Sequence, residues 1–294
     1  MECEENRVRE WACLNGRLTP AEEARISVYD SGFMQGIGLF ETMRTYGSQV
    51  FRLPQHLARL ASSARQLGWA VIPEAEHLEE HVRQVVTAAG PGELRVRVTV
   101  TTGSLRATER ETPELTVVAT ASPGARYPDE HYLQGVTVVA PGFVQGRRDP
   151  TIGHKTTSYF ARLASLREAH ARGAFEALWL TDDGGVAEAA ISSLFLVNNG
   201  RLLTPPLDTP VLPGITRATV LELAAAQHVP VEETAVTLDA LRAADEVFLT
   251  NSLMEIMPVV RFEREPIGHE KPGELTRALA VAYGEQVERE CGRE

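Results

Sequence analysis

One lysine of this sequence lies in a predicted loop of small and polar residues, which is a common setting for a reactive side chain. Lys155 is found in the small, polar segment PTIGHKTTSYF, between a predicted strand and a predicted helix. Its only acidic neighbour along the chain is Asp149. Loops held between rigid elements often carry reactive groups. Lys155 is therefore a candidate reactive amine, although a lysine taken at random is more often a solvated surface charge.

Other segments are of the kind that binds an anion. Gly214-Ile215-Thr216-Arg217 follows Val211-Leu212-Pro213 and opens a predicted helix, where unpaired N–H groups and the helix dipole attract phosphate. Ser252 comes just after the strand EVFLT, and Arg59 lies on a predicted helix after Pro54. Taken singly, each is equally well explained as a helix start, a turn residue or a surface charge.

A carboxylate precedes an apolar strand. Glu188 follows the turn at residues 182–185 and comes directly before AAISSLFLV. Most carboxylates in such a position point to solvent. If Glu188 points inward, it requires a cation or a protonated nitrogen as its partner.

Two segments match nucleotide-binding motifs only in part. Gly36-Ile37-Gly38 resembles the opening of a dinucleotide fingerprint, but Glu41 stands where the third glycine belongs. The segment around Lys155 resembles a phosphate-binding loop, but Arg148 occupies the position of its first glycine. Neither motif predicts a nucleotide site.

Composition narrows the class of protein. The net charge of −11 disfavours nucleic acid and anionic membranes as partners. The three cysteines, Cys3, Cys13 and Cys291, form no CxxC pair, so neither a disulfide framework nor a metal site is expected. No apolar run is long enough to span a bilayer, and the polar start MECEENRVRE is not a secretory signal. We expect a soluble, cytoplasmic protein.

The predicted elements mix strands and helices without regular alternation. Helices are predicted over 55–68, 76–89, 158–171, 214–227 and 274–288, and strands over 94–101, 114–121, 136–140, 177–181, 190–197 and 246–250. The stretch 122–135 is rich in proline and glycine and predicts an interdomain connection. We therefore expect a mixed α/β (α+β) fold with a smaller N-terminal α/β domain, residues 1–121, and a larger strand-rich domain, residues 136–294.

Considered in order along the chain, these segments resemble one family. The set comprises Asp30-Ser31-Gly32-Phe33, Gly36 to Glu41, His56 to Leu60, Lys155 with Tyr159, Glu188 before Ser193-Leu194-Phe195, Thr204-Pro205-Pro206, Leu212 to Arg217, and Ala244 to Ser252. It is similar to the class IV aminotransferases, the fold-type IV pyridoxal-phosphate enzymes, over roughly residues 11 to 285.

The resemblance implies a role for individual residues. Lys155 would hold pyridoxal 5′-phosphate as a Schiff base and move protons, and Glu188 would face the pyridine nitrogen. Tyr159 would approach the ring hydroxyl, and Leu212 would pack on the ring. Arg59, Ile215, Thr216 and Ser252 would hold the phosphate. The family also implies a homodimer with the active site between the two domains, near the dimer interface.

Two reactions fit such a cofactor site. Aminodeoxychorismate lyase, which releases pyruvate and leaves 4-aminobenzoate for folate biosynthesis, is favoured for three reasons. The block from Thr250 to Val259 resembles the lyases most, Tyr159 lies four residues after Lys155, and Gln35 replaces the tyrosine that is typical of branched-chain transaminases. The alternative is a branched-chain or D-amino acid aminotransferase that uses 2-oxoglutarate.

The substrate contacts follow from the same resemblance. Gln35, Arg95 and Arg97 are predicted to contact a small carboxylated amino substrate, and the backbone of Leu253 is predicted to meet its α-carboxylate. Ser193 stands where the family usually has asparagine, which is expected to loosen a local hydrogen bond. A catalytically idle cofactor-binding protein is disfavoured because Lys155 and Glu188 are both present.

Overall fold

The computed structural model describes residues 10–106, 114–124 and 126–292. Cys3 and the polar N-terminal segment therefore lie outside the described residues, apart from Glu10. The chain divides into two compact units. Unit 1 comprises 1–126, 155–158 and 287–294, and unit 2 comprises 127–154 and 159–286. Each unit is described separately below.

Unit 1 is built on an antiparallel sheet of six strands in the order β2-β1-β6-β5-β3-β4. The strands are β1 (Trp11–Leu14), β2 (Arg17–Pro20), β3 (Gly38–Tyr46), β4 (Gln49–Val50), β5 (Leu94–Thr101) and β6 (Thr116–Pro123). Its helices are α1 (Ser31–Gln35), α2 (Leu53–Gln66) and α3 (Ala75–Ala89), with a short 3-10 helix at Ala21–Glu23.

The sequence pattern of β5 explains how this sheet packs. Val96, Val98 and Val100 are fully buried, whereas Arg95 and Arg97 point to the other face, because neighbouring side chains of a strand alternate. The apolar side of α2, including Leu57 and Leu60, packs in the same core. Burial of this continuous apolar layer is the main force that holds α2 against the sheet.

Unit 2 contains a ten-stranded sheet with the main order β10-β9-β7-β15-β14-β11-β12-β13. Its strands are β7 (Val136–Val139), β8 (Val144–Gln145), β9 (Glu176–Thr181), β10 (Val186–Ala189), β11 (Ser193–Asn198), β12 (Arg201–Thr204), β13 (Val231–Glu233), β14 (Glu246–Asn251), β15 (Glu255–Phe262) and β16 (Glu265–Pro266). Its helices are α4 (Asp129–Gln134), α5 (Phe160–Ala171), α6 (Ile215–Ala226) and α7 (Leu238–Arg242); α8 (Glu274–Cys291) starts in unit 2 and ends in unit 1.

The mixed α/β class predicted from the sequence is confirmed. The predicted interdomain connection over 122–135 contains the boundary between the two units, at 126/127, although β6 continues to Pro123 and α4 occupies Asp129–Gln134. One local prediction is wrong. The predicted strand over 190–197 begins only at Ser193, as β11, because the chain turns after β10, where the Ala189 N–H donates to the Ser192 carbonyl at 2.9 Å. Glu188 therefore lies inside β10 and not before the strand.

No helix among the described residues combines the length and the apolar character that crossing a bilayer requires.

Candidate active site

The Lys155 segment adds a short backbone pairing to strand β3 in unit 1. The Phe40 N–H donates to the Lys155 carbonyl at 2.9 Å, and the Thr157 N–H donates to the Gly38 carbonyl at 2.9 Å. Leu39 and Thr156 form the isolated bridge between these two bonds. The backbone of Lys155 is thus fixed by β3, which pairs with β5 along its other edge, so the lysine side chain starts from a rigid position.

The two glycines that resembled a nucleotide fingerprint serve this pairing. A Cβ on Gly38 would lie 2.8 Å from the Thr157 hydroxyl, which is too close for any other residue. Gly36 ends α1 in the left-handed conformation, with φ of 70°, which glycine adopts without steric cost. Its carbonyl accepts a hydrogen bond from the Thr157 hydroxyl at 2.8 Å.

Two cations lie against one aromatic ring beside this segment. The Lys155 Nζ is 4.9 Å from the centre of the Phe40 ring, and the Arg97 guanidinium carbon is 3.7 Å from the same centre. Arg97 also donates from Nε to the Thr99 hydroxyl at 3.0 Å. A ring contact of this kind stabilises a cation, so Phe40 places Arg97 near the lysine.

A buried ion cluster in the same unit holds Arg59. The Glu41 carboxylate, on β3, accepts from Arg59 Nε at 2.8 Å and from Arg59 Nη2 at 2.6 Å. His56, one turn earlier on α2, contributes its Nδ1 at 2.7 Å from the second carboxylate oxygen. A carboxylate that accepts from two nitrogens along one edge of a guanidinium fixes the plane of that group, so Glu41 determines where the remaining Arg59 donors point.

The charges of this cluster are clearly assigned. Burial alone would raise the pKa of Glu41, but Arg59 and His56 outweigh it and lower that pKa to about 2. Burial lowers the pKa of His56, and the cations Arg59 and Lys155 add to this effect, while Glu41 opposes it. Glu41 is therefore ionised. A neutral His56 must carry its proton on Nδ1 in order to donate to that carboxylate.

In unit 2, Glu188 of β10 is buried and has partners on both oxygens. Arg162 of α5 donates from Nη2 to Oε1 at 2.6 Å, and the backbone N–H of Leu212 donates to Oε2 at 2.9 Å. Arg162 also donates to the carbonyls of Ala189 and Ala190 at 3.2 and 3.1 Å. Glu188 is thus an oriented carboxylate. Its ion pair and its hydrogen bonds offset the cost of burying its charge.

The start of α6 lies close to two strands of the unit 2 sheet. Gly214 is the N-cap and provides no side-chain cap. A Cβ on Gly214 would lie 2.7 Å from the Ser193 hydroxyl, and Ser193 pairs with Thr250 of β14. The Thr250 hydroxyl is buried and has no hydrogen-bond partner among the described residues. Uncapped helix N–H groups beside an unsatisfied hydroxyl form an environment that suits an anion.

The turn between β14 and β15 carries the last predicted contacts. The Asn251 side-chain oxygen accepts from the backbone N–H of Leu253 and from that of Met254, both at 2.9 Å. The Leu253 N–H that was predicted to meet a substrate carboxylate is therefore held by Asn251 in this structure. Ser252 and Leu253 are half-buried, as is Tyr159 at the start of α5.

The structure brings some of the predicted residues together within each unit. In unit 1, Lys155 shares the Phe40 ring with Arg97, and Arg59 joins the cluster to which His56 belongs. Gln35 and Arg95 are exposed, and no hydrogen bond or ion pair among the described residues joins either of them to Lys155. In unit 2, Leu212 meets Glu188 through its backbone, and Ile215 and Thr216 form the first turn of α6.

Sequence reasoning missed three partners of the predicted site. No role was predicted for the side chains of Glu41, Arg162 and Asn251. Glu41 could have been suspected because it is a charge in the middle of the apolar run GLFETM. Nothing in the sequence distinguishes Arg162 from Arg167, the other arginine of α5.

Comparisons with known proteins agree on one family. The family model described as "Amino-transferase class IV" matches residues 38–262. The chain is 31% identical to a putative branched-chain-amino-acid aminotransferase of Methanocaldococcus jannaschii over 272 residues, which is 92% of this chain and 94% of that protein. It is 29% identical to a D-alanine aminotransferase of Bacillus licheniformis, covering 93% of this chain and 95% of that protein.

A solved structure gives the same result. A branched-chain amino acid aminotransferase from T.th., complexed with N-(5′-phosphopyridoxyl)-L-glutamate, has a TM-score of 0.87 to this chain at 28% identity. The similarity covers 97% of this chain and 95% of the solved one.

Proposed function

The chain belongs to the class IV aminotransferase family, and we propose that it transfers the amino group of a branched-chain amino acid to 2-oxoglutarate. Its cofactor is pyridoxal phosphate; the similar T.th. enzyme carries a phosphopyridoxyl adduct. Bound to the enzyme, this group acts as an electron sink for a carbanion at the amino-bearing carbon.

The residues present suit such a cofactor. It has a dianionic phosphate, and the uncapped start of α6 next to the unpaired Thr250 hydroxyl supplies donors of the right kind. Arg59 supplies a guanidinium whose plane is set by Glu41. Ile215, Thr216, Ser252 and Arg59 are the residues that we assign to the phosphate, with Tyr159 and Leu212 assigned to the ring.

Two side chains would carry the chemistry. Lys155 would use its Nζ to take a proton from the substrate carbon and return it, a general-base role worth roughly 10² to 10⁴ in rate. Glu188 would hold a proton on the pyridine nitrogen through its negative charge. Arg162 keeps that carboxylate in place by donating to Oε1 at 2.6 Å, so Glu188 is positioned before any ligand arrives.

Besides the family, one observation supports this choice of reaction: Arg97 and Lys155 both lie against the Phe40 ring. Arg97 and Lys155 contact the same ring, so a carboxylate bound by Arg97 belongs to a molecule close to the lysine. Transamination with 2-oxoglutarate requires a second carboxylate to be recognised in one half-reaction and an apolar side chain to be accepted in the other. A single arginine next to a buried aromatic ring meets both demands.

Aminodeoxychorismate lyase remains the second candidate. It was favoured on the sequence because of the block from Thr250 to Val259, the spacing of Tyr159 from Lys155, and Gln35. The relatives and the structure compared above are all called aminotransferases, which supports the transaminase better. The placement of Arg95 and Arg97 on one face of β5 is the feature that would still suit a carboxylated ring.

One set of assays tests the proposal. The purified protein is given L-leucine or D-alanine with 2-oxoglutarate and, separately, aminodeoxychorismate without an amino acceptor. We expect glutamate to form from leucine, with less or none from D-alanine. Formation of 4-aminobenzoate and pyruvate with no glutamate would replace the transaminase with the lyase, and faster turnover of D-alanine would replace the substrate class.

A further inference from the structure

Unit 2 contains a buried carboxyl group that the reaction described above does not use. Glu176 is the first residue of β9, and its relative exposure is 0%. The Ser192 hydroxyl donates to its Oε2 at 2.7 Å. Its Oε1 has no hydrogen-bond partner among the described residues. Leaving a polar atom buried in this way destabilises the fold, so a purely structural role would be served better by an apolar side chain.

The hydroxyl that Glu176 orients leads to the β14–β15 turn. Because Ser192 donates its proton to Glu176, its oxygen is left as an acceptor. It accepts from the Asn251 Nδ2 at 3.4 Å, and the Ile191 carbonyl accepts from the same nitrogen at 3.4 Å. These contacts fix which end of the Asn251 amide faces the sheet.

The other end of the Asn251 amide holds the turn. With Nδ2 directed at Ser192, Oδ1 faces the N–H groups of Leu253 and Met254 at 2.9 Å. If the amide rotated, both groups of hydrogen bonds would be lost together, since an NH₂ group cannot accept from an N–H. The direction in which the Ser192 hydroxyl donates its proton therefore sets the orientation of the Asn251 amide. Through that amide it also sets the conformation of residues 252–254.

The protonation state of Glu176 changes near neutral pH. Burial raises its pKa to about 7, and the Ser192 hydroxyl, the backbone at Ala177 and Ile191 and the Arg162 charge oppose that rise only in part. Arg162 is already paired with Glu188, so its charge only partly offsets the effect of burial on Glu176.

We propose that Glu176 is a positioning residue for the β14–β15 turn, acting through the Ser192 hydroxyl and the Asn251 amide. It sets the orientation of Ser252 toward the cofactor phosphate. This inference rests on the proposed function, which assigns Ser252 to the cofactor phosphate.

The test compares matched variants of the full chain, freed of cofactor and titrated with pyridoxal phosphate. E176Q keeps an acceptor oxygen and cannot ionise, whereas E176L removes the acceptor at similar volume. We expect E176Q to bind within about twofold of wild type, and E176L and S192A to bind about tenfold more weakly, as expected for one lost hydrogen bond. The double variant E176L/S192A should bind pyridoxal phosphate no more weakly than either single variant. Both changes interrupt the same chain of hydrogen bonds from Glu176 through Ser192 to Asn251.

A stability control separates positioning from general damage. T204V removes a buried hydroxyl that donates to the Leu194 carbonyl at 2.8 Å and does not lead to the turn. It should lower the urea midpoint as S192A does, and leave the cofactor dissociation constant unchanged. If E176L fails to fold, S192A carries the same expectation alone, since it deletes a single oxygen atom.

The outcomes distinguish the two claims. Wild-type affinity in E176L and S192A would overturn the positioning role and leave the proposed function intact, as would equal weakening in E176Q and E176L. Additive losses in the double variant would also overturn it. A wild-type protein that binds no pyridoxal phosphate would overturn the proposed function, and the positioning role with it.

Discussion

Replacement of Glu41 by glutamine should cost a large part of the stability of unit 1. The substitution keeps the shape of the side chain and removes the charge that faces Arg59 and His56. In the folded protein the pKa of Glu41 is about 2, against 4.5 for an unperturbed glutamate. Each pKa unit corresponds to about 1.4 kcal/mol, so ionised Glu41 stabilises the fold by about 3 kcal/mol at neutral pH.

The pH dependence has a definite sign. Because the pKa of Glu41 is depressed in the folded state, its contribution is fully present above pH 4.5 and is lost as the pH falls toward about 2. The free energy of unfolding of wild type minus that of E41Q should therefore shrink over this interval. Taking this difference cancels the other carboxylates, which titrate in both proteins.

Urea denaturation of the cofactor-free protein measures the effect, and the chain provides a matched control. The Glu80 carboxylate accepts from Nε and Nη2 of Arg83 at 2.9 and 2.6 Å, which is the same bidentate geometry. Both of these side chains are exposed, however. Solvent screens such a pair, so E80Q should have little measurable effect. If E41Q proves as mild as E80Q, burial does not strengthen the Glu41 cluster and the assignment of its charges is wrong.

Four further outcomes are expected. Borohydride reduction of the cofactor-loaded protein followed by peptide mapping should place the pyridoxyl label on Lys155, and a label on another lysine would contradict that assignment. E188Q should keep the cofactor and lose most turnover, because an amide cannot hold the pyridinium proton; activity within about threefold of wild type would rule out that role. R59A should weaken cofactor binding by roughly ten- to a hundredfold, as expected for a lost charge-assisted hydrogen bond, and an unchanged dissociation constant would remove Arg59 from the phosphate ligands. Light scattering should report a homodimer, since Ile26, Val28, Phe33 and Met34 form a run of exposed apolar side chains; a fully active monomer would refute this expectation.

The sequence by itself determined two things: the family, and the helices and strands whose apolar residues recur at regular spacing. The alternation of arginine and valine predicted β5 to the residue, Leu94 to Thr101. The apolar spacing and flanking glycine and proline placed α2 and α3 within two residues at each end. These predictions succeed because periodicity is a local property of the chain. The ordered motifs predicted the aminotransferase class for the same reason, since each motif is contiguous.

Only the tertiary structure decided which charges meet. Glu41 and Arg59 belong to different elements, yet they form a buried ion pair in unit 1 because β3 and α2 pack together. Arg162 reaches Glu188 from a helix, and Glu176 reaches the β14–β15 turn through Ser192 and Asn251. Partner choice depends on long-range packing, and no local pattern encodes it. The predicted substrate contacts show the same limit: Gln35 and Arg95 are exposed, whereas Arg97 lies beside Lys155 on the Phe40 ring.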